Sequence, residues 1–433
     1  MRNSLVRNSL LLAALLVLGC NHKERPRPTD AEAAASRDAC TYGPGMLARD
    51  TTGASLPSGK EIPIDHIVLI MQENRSFDHY YSTFPGVDGA PATDTNTDSK
   101  GNVVQRFHFT SPCMPGGDHG WDAEHANLDG GKLDGFVKSN HDSPVPMGYY
   151  TGDDLPYYYA LASTFAISDR HFCSVLAPTW PNRMFYFAGT SWGITSNVFP
   201  GTAPDGNQWP NVFSRLDDAK VEWRVYSQDH ATPLIAAIQE YLDHMDWFLA
   251  QSNFASDVAN GFLAPVTVVE ASDVMGVNSP DEGPPGDVDL GQDFVAGTIA
   301  AVMSSPFWKS SAIFISYDEN GGMYDHVVPP KTCAPDSLPP DNGGTVGFDQ
   351  YGFRVPMIVV SPYAKRGYVS HAVTDATSIL RFVEARFDLP SLTARDANAD
   401  PMFDMFDFGN PDFSVPSLPT VTIDQAKLAA CGS

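Results

Sequence analysis

The stretch IDHIVLIMQENRSFDHYY, residues 64–81, joins a continuous apolar run to a cluster of charged and amide side chains. The run from Ile64 to Met71 predicts a strand buried on both faces, as in parallel sheets. Glu73 and Asn74 follow almost directly, although a charged and an amide side chain are not expected at the end of a core strand. Ligands of open α/β sheets bind outside the carboxyl ends of the strands. We therefore expect this strand to end in a site that binds a cation and a charged substrate.

Other short runs of β-branched and apolar residues predict four more buried strands, over residues 221–226, 265–269, 312–317 and 356–360. Apolar residues recur at helical spacing over residues 292–303 and 374–387. Strands that alternate with helices are typical of an α/β fold around a mostly parallel sheet. No domain boundary is evident after residue 60, so we expect one catalytic domain over residues 61–433.

The composition limits the classes of partner. The chain has 433 residues, of which 42% are hydrophobic, so it can build a large core. It has 27 basic and 52 acidic residues, a formal net charge of −25. Such a balance repels nucleic acid and anionic lipid surfaces, which argues against a nucleic-acid partner.

The N-terminus has the pattern of an export signal. Arg2 and Arg7 precede a short apolar stretch, residues 10–18, and the sequence Val17-Leu18-Gly19-Cys20 resembles a bacterial lipobox. We expect residues 1–19 to be a signal peptide, Cys20 to be lipidated and residues 20–60 to form a flexible tether. An ordinary signal peptide is the alternative. The predicted location is the bacterial cell envelope, or the exterior if the lipid is absent.

Five cysteines remain after the predicted lipidation site, an odd number whose pairing the sequence does not give. They are Cys40, Cys113, Cys173, Cys333 and Cys431. No CxxC spacing occurs, so a zinc-thiolate site is not indicated. Cys173 lies in an apolar stretch and is predicted to be a core thiol.

A second acidic cluster follows the predicted strand 312–317. It reads Asp318-Glu319-Asn320-Gly321-Gly322. Carboxylate and amide oxygens at one sheet edge suit Ca²⁺, Mg²⁺ or Mn²⁺ better than Zn²⁺. Each cluster alone could be a solvated junction between a strand and a loop. Together they predict one divalent cation held by oxygen ligands.

A third element, SVLAPTWPNRMFYF at residues 174–187, places a hydroxyl near this site. Pro178 and Pro181 bracket Thr179, and an apolar helical pattern follows. A hydroxyl at a helix N-terminus beside a cation can ionise and attack phosphorus. Arg183 could bind the phosphoryl oxygens. The alternative for Thr179 is a simple helix N-cap.

The blocks ENRSFDHYY, LAPTWPNR and SYDENGGMYDHVVPP resemble the signature blocks of the bacterial phosphoesterase family. That family includes phosphatidylcholine-hydrolysing phospholipases C, plant non-specific phospholipases C and acid phosphatases. The resemblance runs from about residue 64 to about residue 390. Ordered blocks of this length are much more specific than a single short motif.

The resemblance implies an alkaline-phosphatase-like three-layer α/β/α sandwich with a single metal. It implies that the nucleophile is Thr179, which also touches the metal, and that the remaining metal ligands are Glu73, Asn74, Asp318 and Glu319. A family histidine that contacts the phosphoryl group corresponds to His119 or His125, with His119 preferred. His326 is expected to line or brace the pocket, either directly or by orienting ligands.

Two positions depart from the family pattern. Members usually have an Asp-Glu-His-Pro run where this chain reads Asp281-Glu282-Gly283-Pro284, and Ala376 replaces a second histidine. Loss of a general acid at residue 283 would cost roughly 10²–10⁴ in rate.

Three functions remain open. The preferred one is phospholipase C-like hydrolysis of phosphate esters, including phospholipids, through a phosphothreonine intermediate. An acid phosphatase acting on soluble monoesters is the second. A lipoprotein that binds without turnover is the third, and Gly283 is its main support.

Overall fold

The computed structural model describes residues 26–201, 203, 209–228, 239–271 and 276–431. Eight strands of these residues form one sheet. In chain order they are β1 (His66–Gln72), β2 (Ala166–Ser168), β3 (Trp223–Ser227), β4 (Phe248–Ala250), β5 (Val266–Val269), β6 (Ser311–Tyr317), β7 (Met357–Val360) and β8 (Tyr368–Ser370). The predicted signal peptide and Cys20 lie outside the described residues.

The sheet is mostly parallel. Its strand order is β8-β2-β7-β6-β1-β5-β3-β4, and β7 alone runs antiparallel to its neighbours. The predicted α/β class is therefore confirmed, and the five predicted strands are found to within two residues at each end. The strands β2, β4 and β8 were not predicted, because three residues are too short to show a period.

The α-helices in the described part of the chain are α1 (Asp30–Asp38), α2 (Ala48–Thr51), α3 (Phe77–Tyr81), α4 (Trp121–Leu128), α5 (Phe136–Ser139), α6 (Pro156–Thr164), α7 (Thr179–Ala188), α8 (Val212–Ala219), α9 (Phe254–Ala259), α10 (Val288–Met303), α11 (Ala376–Phe387), α12 (Ala394–Ala397) and α13 (Gln425–Cys431). Three short strand pairs lie outside the main sheet: Thr95–Thr97 with Val103–Gln105, Phe107–His108 with Gly148–Tyr149, and His171–Phe172 with Thr374–Asp375. Both predicted helices are confirmed as α10 and α11.

The helices cover the sheet in two separate groups. Helix α11 packs against α2, α7 and α12, whereas α10 packs against α6 and α9. Strand β6 is buried at every position and β1 at every position after His66, so side chains on both faces of the central strands are covered. This is the layering of an α/β/α sandwich with parallel central strands.

The segment between residues 26 and 60 differs from the predicted flexible tether. Helix α1 begins with a capping box between Thr29 and Glu32. The side chains of Ala48 and Thr51 in α2 are buried, and Arg381 of α11 donates a hydrogen bond to the Thr51 hydroxyl. The Pro- and Ala-rich composition that suggested a tether carries no information about these contacts, whose partners lie more than 300 residues later in the chain.

Two disulfides join distant parts of the chain. Cys40 pairs with Cys333, and Cys113 pairs with Cys431. Cys173 is free and buried, as predicted. Disulfides persist in oxidising compartments, which agrees with the predicted export. Across the residues that the structure covers, no helix is long and apolar enough to cross a membrane.

Candidate active site

Three neighbouring parallel strands end in buried carboxylates at the same sheet edge. Glu73 follows β1, Glu270 follows β5, and Asp318 and Glu319 follow β6. All four side chains are buried. The two acidic clusters named in the sequence analysis lie at one edge because β1 pairs in parallel with β6. Glu270 was missed, although it follows a predicted strand in the same way as Glu73 does.

Arg183 of α7 reaches into this acidic group. Its Nη2 lies 3.0 Å from Glu73 Oε1, its Nη1 lies 3.0 Å from Glu270 Oε1, and its Nε lies 3.7 Å from Asp318 Oδ2. Although burial opposes its charge, Glu73 and Glu270 hold the pKa of Arg183 above its usual value. The guanidinium was expected to bind phosphoryl oxygens. In the structure its N–H groups face these carboxylates, so Arg183 holds their side chains in place.

One guanidinium does not balance the surrounding carboxylates. Burial and the nearby charge of Asp318 raise the pKa of both Glu73 and Glu319 well above the usual range. Burial, together with the nearby charge of Asp318, also raises the pKa of Asp281 to about 7. Protons bind at such a site because the folded chain concentrates negative charge away from water. A divalent cation would satisfy the same excess of negative charge.

Three acceptor atoms of the predicted ligands are buried without a hydrogen-bond partner. They are Asn74 Oδ1, Asp318 Oδ2 and Glu319 Oε1. Buried acceptor atoms are normally hydrogen-bonded, so three neighbouring acceptors without a hydrogen-bond partner indicate a binding site for a partner such as an ion. Oxygen donors of this kind fit Ca²⁺, Mg²⁺ or Mn²⁺. The residues present therefore fit the predicted cation.

The backbone around Asn74 holds it in this group. Asn74 has φ 63°, a left-handed conformation that non-glycine residues adopt at a cost. Its backbone N–H donates to Asp318 Oδ1 at 2.9 Å, and its Nδ2 donates to Glu73 Oε2 at 2.9 Å. A Cβ on Gly321, which has φ 64°, would lie 2.4 Å from the carbonyl oxygen of Asn74. Glycine at residue 321 is thus required for the two acidic clusters to meet.

Thr179 is the first residue of α7, the helix from which Arg183 reaches the acidic group. Arg183 is four residues later, so the two side chains share one face of the helix. Pro178 is the N-cap residue and makes no side-chain capping bond. The Thr179 hydroxyl therefore does not act as the simple N-cap that was its alternative interpretation, and the predicted nucleophilic role stays open.

The candidate histidines separate in the structure. His119 Nε2 lies 3.7 Å from Glu319 Oε1, and its Nδ1 donates to the carbonyl oxygen of Gly117 at 2.8 Å. His125 instead donates to the carbonyl oxygen of Trp121 at 2.7 Å, within its own helix α4. The structure thus brings His119 to the predicted ligands, in line with the preference for it over His125.

His326 belongs to a separate polar cluster. Its Nδ1 lies 2.6 Å from Asp78 Oδ2, and Arg354 Nε lies 2.9 Å from Asp325 Oδ1. Among the described residues, Asp78, Asp325 and His326 are the one set of three His, Cys, Asp or Glu side chains with ligand atoms within 4.8 Å of one another. Arg354 lies 3.1 Å from Asp78 and already supplies the positive charge there. We therefore interpret this cluster as structural, in contrast to the one with orphaned acceptors.

Replacing His326 by glutamine should destabilise the protein more at low pH than at high pH. Although burial opposes its charge, the hydrogen bond that His326 donates to Asp78 raises the pKa of His326. The contribution of charged His326 to the free energy of unfolding is complete below its pKa in the unfolded chain, about 6.5. This contribution is lost as the pH rises through its higher pKa in the folded protein. Loss of a hydrogen bond to a charged group predicts a deficit of about 1.5 kcal/mol at pH 5.5. Thermal unfolding between pH 5.5 and pH 9 measures it.

The matched control is His125→Gln, since burial lowers the pKa of His125. A stability deficit of His125→Gln should not shrink as the pH rises. A constant deficit in His326→Gln would contradict the role given to its charge.

The loop with the missing family histidine borders the acidic group. A Cβ at Gly283 would lie 3.4 Å from Glu73 Cβ and 3.5 Å from Asn74 Nδ2. The neighbouring Glu282 is fully buried and accepts hydrogen bonds from the hydroxyls of Tyr80 and Tyr317 at 2.6 and 2.8 Å. No local sequence pattern predicts these contacts of Glu282, because Tyr80 and Tyr317 belong to two distant segments. Residue 283 is therefore held where a side chain would reach the site.

A cavity of about 410 Å³ borders the first turns of α4 and α7. Its lining includes Gly120 and Pro178, which directly adjoin His119 and Thr179 in the chain. The remaining lining residues are Asp118, Trp121, Asp122, Ala123, Thr195, Ser196, Asp341 and Asn342. The cavity is large enough for a small organic group near the N-terminus of α7.

A buried acidic group at the carboxyl edge of a parallel sheet, next to a cavity, is the arrangement of an α/β enzyme. The sequence matches the Phosphoesterase family over residues 64–390, about three-quarters of the chain. The chain belongs to this family. Membership confirms the predicted enzyme class, a phosphoric ester hydrolase.

Curated relatives agree with this assignment. The chain is 31% identical to Phospholipase C B of Mycobacterium tuberculosis, covering 85% of this chain and 82% of the relative. It is 32% identical to Non-specific phospholipase C6 of Arabidopsis thaliana, covering 77% of this chain and 70% of the relative. Among solved structures, a protein in the alkaline phosphatase superfamily from Vibrio parahaemolyticus aligns with a TM-score of 0.41 and 9% identity, over 83% of this chain and 72% of its own.

Proposed function

We propose that the protein is a metal-dependent phosphodiesterase of the phospholipase C type that acts through a phosphothreonine intermediate. The observation that carries the proposal is the set of buried acceptors on Asn74, Asp318 and Glu319 that lack hydrogen-bond partners. The set adjoins the helix that begins with Thr179. The relatives named phospholipase C support the diester substrate, and phospholipids are the proposed physiological class.

Glu73, Asn74, Asp318 and Glu319 would hold one divalent cation, with Thr179 beside it. When bound, the cation lowers the pKa of the Thr179 hydroxyl and neutralises charge on the phosphoryl oxygens. Arg183 keeps Glu73 and Asp318 in position, since its guanidinium lies within 4.0 Å of both carboxylates. Its positive charge also reduces the cost of burying them.

Thr179 Oγ1 would lose its proton to bulk water as it attacks phosphorus and forms a P–O bond, while the bond from phosphorus to the leaving alcohol oxygen breaks. His119 would give the leaving oxygen a proton from its Nε2, which lies 3.7 Å from Glu319 Oε1 in the acidic group, and would regain a proton from bulk water. Water would then attack the phosphothreonine, which releases the phosphorylated head group and returns a proton to Thr179. A lipid substrate would leave diacylglycerol as the first product.

The experiment compares two esters and the effect of metal on both. The purified protein should hydrolyse p-nitrophenylphosphorylcholine faster than p-nitrophenyl phosphate. EDTA should abolish turnover, and Ca²⁺, Mg²⁺ or Mn²⁺ should restore it. A preference for the monoester would favour the acid phosphatase alternative. Turnover that survives complete removal of metal would refute the proposed role of the cation.

Gly283 favours a second candidate, a lipoprotein that binds its ligand without turnover. The position adjoins Glu73 and Asn74, yet it carries no side chain to act as a general acid. Calorimetry that detects metal binding in a protein inactive on both esters would support this candidate. Recovery of turnover in Gly283→His would then identify the missing group.

We also propose that the exported chain is attached to the membrane by a lipid on Cys20, a residue outside the described range. The lipobox-like sequence supports this. Mass spectrometry of the exported protein should show the lipid, and Cys20→Ser should lack it.

A further inference from the structure

A small apolar surface lies next to the helix turn that carries Thr179. We call it the apolar rim, and it consists of Trp180, Val198 and Phe199. Val198 and Phe199 are 46% and 56% exposed, and Trp180 is partly exposed. The ring of Phe199 meets the ring of Trp180 edge-on, with centroids 4.8 Å apart. Exposed large apolar side chains that cluster in this way mark a surface that contacts something apolar.

The rim is held in place from both ends. Asn197 Oδ1 accepts a hydrogen bond from the backbone N–H of Trp180 at 2.8 Å. Trp209 Nε1 donates to the carbonyl oxygen of Gly201 at 2.6 Å. Val198 and Phe199 thus sit on a loop tied to α7 on one side and to Trp209 on the other. Val198 and Phe199 are therefore exposed on a loop that hydrogen bonds hold at both ends.

The rim is continuous with the mouth of the cavity beside the active site. Ser196, at the start of the rim loop, lines the cavity, and so does Pro178, two residues before Trp180. Val198 and Phe199 follow Ser196 by two and three residues, and Trp180 follows Pro178 by two, so the rim and the cavity are joined through both segments.

The charges around the cavity restrict what can touch the rim. Asp118, Asp122 and Asp341 line the cavity and are exposed. The whole chain has a net charge of −25. An anionic surface would be repelled from this face, whereas a surface with apolar depth and no net charge would not. Aromatic side chains are well suited to the boundary between lipid head groups and acyl chains.

We propose that the apolar rim inserts into the surface of a zwitterionic phospholipid bilayer and places a lipid head group at the cavity. This inference rests on the proposed function, because it specifies how a lipid substrate would reach that site. The acidic lining then selects against bilayers rich in anionic lipids.

The test measures vesicle binding separately from turnover. The full-length chain carrying Cys20→Ser is sedimented with phosphatidylcholine vesicles, and Phe199→Ser is added to the same background. Residues 1–25 are common to both proteins, so their contribution cancels in the comparison. Removing a ring that becomes buried in lipid should weaken partitioning about ten-fold. Turnover of p-nitrophenylphosphorylcholine, which needs no bilayer, should stay within about two-fold of the parent.

Phe413→Ser is the matched control. Phe413 is 43% exposed and meets Tyr363 edge-on at 5.8 Å, much as Phe199 meets Trp180. It lies near Pro362, beyond the end of the antiparallel strand β7 and thus at the opposite sheet edge. This variant should bind vesicles like the parent. Val198→Ser provides a second rim variant should Phe199→Ser not fold.

Equal binding of the parent and the rim variants would overturn the proposal, as would tighter binding of the parent to phosphatidylglycerol vesicles than to phosphatidylcholine vesicles. A dimer that Phe199→Ser converts to a monomer, seen by analytical ultracentrifugation, would assign the rim to a second copy of the chain and also overturn it. If the parent binds vesicles but hydrolyses neither ester, and Phe199→Ser does not bind vesicles, the role of the rim would be supported. The proposed function would then be refuted.

Discussion

Replacement of Thr179 by alanine should lower kcat/KM for p-nitrophenylphosphorylcholine by at least about 10³-fold, because the proposed covalent step then has no nucleophile. The fold should tolerate the change. Thr179 is the first residue of α7, and the N-cap position belongs to Pro178, so the change removes no N-cap side chain and the thermal midpoint should shift little. Steady-state assays at saturating metal, together with thermal unfolding, measure both quantities.

Thr179→Ser is the matched control, since it keeps the hydroxyl and removes one methyl group. It should retain measurable turnover, and a phosphorylated serine should replace the phosphothreonine trapped by acid quenching. Turnover in Thr179→Ala near the level of the parent would exclude Thr179 as the nucleophile. In that case water would have to attack the ester directly.

Replacement of Arg183 by methionine should lower the free energy of unfolding of the metal-free protein by about 3–5 kcal/mol. Removing one partner of a buried ion pair leaves the other charge uncompensated, and Arg183 is buried against Glu73, Glu270 and Asp318. The deficit should grow as the pH rises. The pKa of Glu73 is already raised by burial and Asp318, so its ionisation favours the unfolded chain. Urea unfolding in EDTA at pH 5 and pH 8 measures the effect.

Arg183→Lys separates charge from geometry. Lysine keeps the positive charge, so the loss of unfolding free energy should be smaller in Arg183→Lys than in Arg183→Met. A loss should remain, because an ammonium group cannot contact several carboxylates with fixed N–H groups. A loss below about 1 kcal/mol in Arg183→Met would show that the carboxylates are neutral in the folded protein without the guanidinium.

The main features of the sheet could be predicted from the sequence because its central strands are long and buried on both faces. The apolar runs around Val68 and Phe314 each form a seven-residue strand that is buried on both faces. The meeting of Glu73 with Asp318 could also be predicted, since parallel strands bring their carboxyl ends together. Glu270 follows the same rule after β5, and applying it to every predicted strand would have found it.

Other features depend on contacts that no local pattern encodes. The role of Arg183 is set by three carboxylates from three different strands. His326 stands seven residues after Glu319, yet it packs into the separate cluster of Asp78 and Arg354. The segment before residue 60 has the composition of a linker, but its docking depends on helix α11 and on Cys333, which follow hundreds of residues later.

The two disulfides cross in the sequence, because Cys113 lies between Cys40 and Cys333 while its partner Cys431 lies beyond both. A chain that leaves the cytoplasm from its N-terminus presents Cys40 and Cys113 to the oxidising side long before either correct partner arrives. Oxidation in order of emergence would join these two cysteines to each other. Reaching the native pairing then requires thiol–disulfide exchange, so the yield of this protein should depend on an isomerase and not on an oxidant alone.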